Sequence, residues 1–183
     1  MKRRTFDLLV SLGGLFLAVA LLVLAVVFHS NATFAKSNVS DQLTAQKVFF
    51  PPKSALSEEE LQQPGVVKNA GRQVTSADQA EVYANQFIAL HLKGIAGGKT
   101  YSELSSESRK SPQDQELAGK VQTAFRGETL RGLLLTTYAF GTLGEKADQA
   151  ALVFVIGALI LLLLALVGFW HYARTPKRTQ LNL

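Results

Sequence analysis

Two guanidinium groups and a carboxylate fall within six residues in the run Phe125-Arg126-Gly127-Glu128-Thr129-Leu130-Arg131-Gly132, the densest chemical cluster in the chain. On a helix Glu128 and Arg131 stand at i and i+3, where opposite charges pair. Gly127 and Gly132 carry no side chain. Each costs a helix about 1 kcal/mol against alanine, a cost offset where another backbone approaches closely. Arg126, Gly127, Glu128, Arg131 and Gly132 therefore form the candidate interaction surface. The chemistry open to it is docking, or anion binding through Arg126 and Arg131. The plainer role is a charged cap that holds a small domain against a pair of membrane helices.

The other chemical groups are sparse. There are three histidines, His29, His91 and His171, and no cysteine, so disulfides, thiolate metal sites and thiol catalysis are excluded. His91 falls on the apolar face of a helical pattern and reads as a satisfied core histidine. Glu58, Glu59 and Glu60 read as a solvated helix start. Nucleophile elbows, phosphate loops and dinucleotide fingerprints are absent from the sequence. The expectation is a protein without catalytic residues, cofactor or metal.

The elements that position these groups are set by two uncharged apolar runs, residues 8–28 and 152–170. About 20 apolar residues at 1.5 Å each cross a hydrocarbon core of roughly 30 Å. The first run is longer than the 7–15 residues of a signal-peptide core and reads as an uncleaved helix. Lys2, Arg3 and Arg4 precede the first run; Arg174, Lys177 and Arg178 follow the second. By the positive-inside rule both tips lie in the cytoplasm. The expected order is a cytoplasmic tip (1–7), a membrane helix (8–29), an extracytoplasmic domain (30–149), a second membrane helix (150–171) and a cytoplasmic tail (172–183).

The tips' six basic residues exceed Asp7 by five, which is the whole formal charge of +5. The segment between the apolar runs is neutral. Nucleic acid binding needs a phosphate-neutralising patch, and none is gathered here. Neither apolar run holds an ionisable residue, which disfavours a proton or ion pathway.

Ser11, Ala18 and Ala25 recur every seven residues in the first run, as do Ala151, Ala158 and Ala165 in the second. Stripes of small residues at this period let two helices pack closely, so an antiparallel pairing within one chain is expected. Between the runs, Ala35, Val39 and Leu43 extend the first helix outward until Phe49-Phe50-Pro51-Pro52. Residues 52–71, with Pro64-Gly65 inside them, read as loop plus a short helix at residues 57–60 capped by Ser57. Ser76 and Gln79 have capping-box spacing, and a helix follows through Tyr83, Phe87, His91 and Ile95, broken by Gly94 and Gly97-Gly98. Thr100 and Glu103 open the next, ending near Lys110. Ser111-Pro112 opens another, with proline at the first helical position; it runs to about Phe140. Gly141 and Gly144 mark a break before the second membrane helix. The fold class is all-α.

Four stretches together resemble an uncharacterised actinobacterial family of two-helix membrane proteins: Met1-Lys-Arg-Arg-Thr-Phe-Asp7, Tyr83-Ala-Asn-Gln-Phe-Ile-Ala-Leu-His-Leu92, Ile95-Ala-Gly-Gly-Lys-Thr-Tyr101, and residues 122–135 around the charged cluster. Members are sometimes labelled aromatic ring-opening dioxygenases. That chemistry needs an iron site, usually two histidines with a carboxylate, and the expected topology puts His29 and His171 on opposite faces of the membrane. The resemblance implies a lineage and a topology without an activity. The leading expectation is a non-enzymatic accessory or scaffold component of a cell-envelope complex, with the bilayer and a membrane or envelope protein, or a second copy, as partners. The alternatives are an extracytoplasmic sensing module with a pocket near Tyr83, Phe87 and His91, and a homo-oligomeric two-helix channel.

Overall fold

The computed structural model describes residues 2–176 and 179; Lys177 and Arg178 of the basic tail lie outside the described residues. The chain is all-α, and the helices among the described residues are α1 (Arg3–Gln46), a 3-10 turn (Lys53–Ala55), α2 (Glu58–Leu61), α3 (Pro64–Asn69), α4 (Ala77–Val82), a π-helical segment (Tyr83–Ile88), α5 (Ala89–Ala96), α6 (Tyr101–Lys110) and α7 (Gln115–Arg174). Among the described residues the only extended pairing is an isolated antiparallel bridge, Phe49 to Gln73. α1 and α7 are long and apolar enough to cross a membrane. The chain divides into two compact units, Met1–Phe34 with Gly144–Leu183, and Ala35–Leu143.

The first unit is an antiparallel pair made of the N-terminal part of α1 and the C-terminal part of α7. Its seam is built from small side chains. Ser11, Ala18 and Ala25 are buried, as are Ala151, Ala158 and Ala165, with Ala18 and Ala158 both at 0 % exposure. A Cβ on Gly14 would stand 3.7 Å from the Ala165 Cβ, and one on Gly157 would stand 3.2 Å from Leu21. The expected heptad stripes therefore face one another. Large apolar side chains point away from the seam: Phe16 is 73 % exposed, Val26 69 % and Leu163 64 %. This reverses the arrangement of a water-soluble protein, where large apolar groups fill the interior.

Both ends of this pair are tied by a histidine and an aspartate. His29 Nδ1 lies 2.9 Å from Asp148 Oδ1, and His171 Nδ1 lies 2.8 Å from Asp7 Oδ2. Near the second tie Arg4 stacks on the Tyr172 ring at 4.4 Å and Arg174 on Trp170 at 4.3 Å, cation–π contacts that anchor both termini to aromatic rings.

The second unit folds α2 to α6 around segments of α1 and α7. Its core joins Val39 and Leu43 of α1, Phe50, Val66, Val74, Ala80, Ala84, Ile88, Leu92, and Leu134 of α7. A smaller cluster holds Ala96, Leu104 and Ala124. The first helix continues beyond the apolar run as its 35–43 spacing predicts. It stops at Gln46, where Lys47 takes a left-handed φ of 53°. Val48 to Phe50 then runs extended, with Phe50 N–H donating to the Arg72 carbonyl and the Val48 carbonyl accepting from Val74 N–H, both at 2.9 Å.

Ser57 caps α2 and the Thr100/Glu103 capping box forms as predicted, and at Ser57 the Glu60 side chain completes a second box. At Ser76 the hydroxyl accepts from Gln79 N–H, but the Gln79 side-chain Oε1 accepts from the Thr75 N–H one residue earlier. Four expectations are corrected. Pro64-Gly65 opens a helix, α3, with proline at its first turn. The helix after Ser76 contains a π segment at Tyr83–Ile88 and passes through Gly94 to end at Gly97, whose φ is +59°. Pro112 sits in a turn, and α7 starts at Gln115, where the Asp114 carboxylate accepts from Leu117 N–H at 2.9 Å.

The fourth correction concerns Gly141 and Gly144, which do not interrupt α7. A Cβ on Gly141 would collide with the Ala77 Cβ, so this glycine serves close helix approach. Gly132, in contrast, has nothing within 4 Å of where its Cβ would be. The two sites should respond with opposite signs. Gly132→Ala is expected to stabilise by about 0.5–1 kcal/mol through helix propensity and reduced unfolded-state entropy. Gly141→Ala should destabilise by about 1–2 kcal/mol, because Ala77 has no rotamer to move and overpacking outweighs propensity. Unfolding in mild detergent followed by circular dichroism measures both; shifts of the same sign would contradict this packing.

Candidate functional site

The structure separates the charged cluster into two sides of one helix. Gly127 faces inward: a Cβ there would strike the Leu92 side chain on α5. Arg131 Nη1 donates to Glu128 Oε2 at 3.3 Å, and Nη2 donates to Asn85 Oδ1 of the π segment at 3.0 Å. These residues hold α5 and the π segment against α7. Arg126 and Gly132 face outward, and Arg126 makes no ion pair or hydrogen bond among the described residues. An anion site using both arginines is therefore not assembled.

Outward along α7, Phe125, Thr129, Gly132, Thr136, Ala139 and Leu143 are all exposed. Their spacing alternates four and three, the pattern of a helix–helix seam, and none is charged. The Thr129, Thr136 and Thr137 hydroxyls donate to the carbonyls of Phe125, Gly132 and Leu133, at 2.8, 2.9 and 3.0 Å. With their hydroxyls satisfied by the helix itself, they leave methyl groups on the surface. Leu133 at 62 % exposure and Phe140 at 40 % flank the seam.

A second group of polar residues meets around Glu60, which reads in the sequence as solvated. Glu60 is only 5 % exposed, against the expected solvated helix start. Its Oε2 accepts from Ser57 N–H at 2.6 Å, and its Oε1 lies 3.2 Å from His91 Nε2. His91 is correspondingly not a core histidine; its side chain is 49 % exposed and its ring lies edge-on to Phe87 at 4.4 Å. The Ser57 N–H bond, outweighing the opposing effect of burial, holds the Glu60 carboxyl below its usual range, assisted by the Ser57 hydroxyl and by His91. Phe87 continues into Tyr83 at 4.8 Å and Tyr83 into Phe50 at 5.0 Å. Burial pushes the Tyr83 phenol up.

A groove on this unit, about 470 Å³, is bordered by Glu59, Gln63, Lys93 and Gly97; Tyr83, Phe87 and His91 do not line it. Among the described residues no three histidine or carboxylate groups converge as metal ligands. The Ser57 cap was visible in the sequence, and the return bond from Glu60 lay in its i, i+3 spacing. The His91 partner and the two histidine–aspartate ties join residues distant along the chain, and no local pattern marks them.

Compared with protein-family models, curated proteins and solved structures, the chain matches none.

Proposed function

We propose that the chain is a two-pass membrane protein of the cell envelope, with both tips in the cytoplasm and residues 30–149 outside, and that it acts as a non-enzymatic accessory or scaffold component that binds another envelope protein. Support for the membrane part comes from the inverted helix pair, small residues buried at the seam and Phe16, Val26 and Leu163 exposed. In water this would be a continuous apolar surface far beyond the few hundred Å² that soluble monomers expose. A bilayer is the solvent it suits. The basic residues beyond the two apolar runs support the orientation. The resemblance to two-helix actinobacterial membrane proteins points the same way.

The observation that carries partner binding is the uncharged outward seam of α7, residues 125–143, with Arg126 beside it. Glu145, Lys146, Asp148 and Gln149 separate it in sequence from the apolar run 152–170. An apolar seam outside the lipid has a protein as its natural cover. Photoreactive groups placed in cells at Arg126 and Thr136, followed by mass spectrometry, test this. Recovery of a different envelope protein at both positions is expected. Recovery of self-crosslinks alone would replace the accessory role with homo-oligomerisation, and loss of all protein crosslinks would overturn partner binding.

A further inference from the structure

We infer that the groove beside the Arg4–Tyr172 stack binds the phosphate of an anionic phospholipid. This rests on the membrane reading above. The groove has a volume of about 430 Å³ and is lined by Lys2, by Arg4, Thr5 and Leu8 of α1, and by Tyr172 of α7, which puts it within the range of sites that hold a small ligand. Among the described residues the Lys2 ammonium, the terminal nitrogens of Arg4 and the Thr5 and Tyr172 hydroxyls make no hydrogen bond or ion pair. The hydroxyls of Thr129, Thr136 and Thr137, in contrast, are spent on carbonyls one turn back. Four kinds of donor therefore share one groove without an acceptor from the chain.

A phosphate is the acceptor that suits them. Arg4 lies over the Tyr172 ring at 4.4 Å, and its Nε is shut off from solvent without a partner. Its hydrogen bonding is thus left to the two terminal nitrogens, which match two phosphate oxygens. The stack fixes the guanidinium before a ligand arrives, so less freedom is lost on binding. The lining also sets the charge of the head. It holds two cations and no carboxylate, so the ammonium of an ethanolamine or choline head finds no counter-charge. Asp7, the acidic residue of this segment, is turned to His171 Nδ1 at 2.8 Å, and its side chain is 14 % exposed. A lipid fits better than free phosphate, because Leu8 opens the uncharged run 8–28 and Tyr172 follows the run that ends at residue 170. Donors and hydrocarbon meet at this groove, as phosphate and acyl chains do in a lipid.

The test uses the full chain in mild detergent, offered equal amounts of phosphatidylglycerol, phosphatidylethanolamine and phosphatidylcholine, with bound lipid read by native mass spectrometry. Phosphatidylglycerol should be retained about ten-fold over the other two, the weight of about 1.4 kcal/mol. Arg4→Gln should lower that preference about five-fold, the effect of one cation near a lipid head. Lys2→Gln, at an exposed side chain, should act in the same direction. Arg3→Gln removes the same charge outside the groove and should leave the preference as it was. Equal retention of the three lipids, a preference that survives Lys2→Gln with Arg4→Gln, or an equal loss from Arg3→Gln overturns the inference. Inorganic phosphate separates the two sources of the anion. Lipid that stays bound in excess phosphate supports a lipid site; lipid displaced by phosphate, but not by chloride at equal ionic strength, overturns it. Flotation with vesicles made of the same three lipids separates this inference from the membrane reading. Chains that float without headgroup preference leave the membrane reading standing and the lipid site refuted; chains that do not float refute both.

Discussion

A chain carrying Gly14→Cys and Ala165→Cys should close an intramolecular disulfide in most molecules. A Cβ on Gly14 would lie 3.7 Å from that of Ala165, inside the roughly 3.5–4.5 Å span of natural disulfides. The native chain has no cysteine, so faster migration on a non-reducing gel reports the new bond alone. The pair Phe16→Cys with Leu163→Cys, on outward faces at 73 % and 64 % exposure, should not close. Adding Ala158→Leu to the first pair tests what holds the seam. Ala158 and Ala18 are fully buried, and an isobutyl group there has no free volume to enter. Overpacking costs about 1–3 kcal/mol, and every 1.4 kcal/mol is ten-fold in the paired population. Crosslinking should fall accordingly. Unchanged crosslinking with Ala158→Leu would refute the small-residue seam.

The second large effect is expected at Glu60. Glu60→Ala removes the acceptor of the Ser57 N–H and the partner of His91 Nε2 in a site that is 5 % exposed. Losing a charge-assisted bond in such a place costs about 2–3 kcal/mol, measured as a lower unfolding midpoint of the purified chain. Glu60→Gln keeps an acceptor but not the charge, and it isolates the pH dependence. Because the folded carboxyl titrates below its ordinary 4.5, its stabilisation is complete above that value and is lost as pH falls through the folded value. The gap between wild type and Glu60→Gln should therefore be constant at neutral pH and shrink below about pH 4.5. A gap that widens on acidification would mean that Glu60 is not held as a carboxylate. Its α2 helix is one turn long, too short to persist without this cap, so the loss should extend to Val66 and Phe50 in the core beneath.

Elements governed by local physics were legible. The two apolar runs, the seven-residue stripes of Ser11, Ala18 and Ala25 against Ala151, Ala158 and Ala165, and the caps at Ser57 and Thr100 each depend on residues a few positions apart. Backbone geometry alone converts that spacing into a shared face or a satisfied N–H. Where two local signals competed, the sequence misled. Gly141 and Gly144 resemble a break because glycine weakens an isolated helix. In the fold, Gly141 is instead the place where Ala77 comes into contact, and packing outweighs propensity. Pro112 competes with Asp114 as a helix start, and the carboxylate that reaches Leu117 N–H prevails.

The candidate site was half legible. The Glu128–Arg131 pair follows from its i, i+3 spacing. That Gly127 and Arg131 turn inward to Leu92 and Asn85 while Arg126 and Gly132 turn outward depends on which side of α7 receives α5, a choice made by the whole core. The same holds for His29 with Asp148, His171 with Asp7 and His91 with Glu60. The sequence by itself determined that this chain has two apolar helices long enough for a bilayer, a neutral helical segment between them, and small residues at a period that pairs helices. Only the tertiary structure decided which ionisable groups meet, because charge pairing acts over a few ångströms in space and leaves no period along the chain.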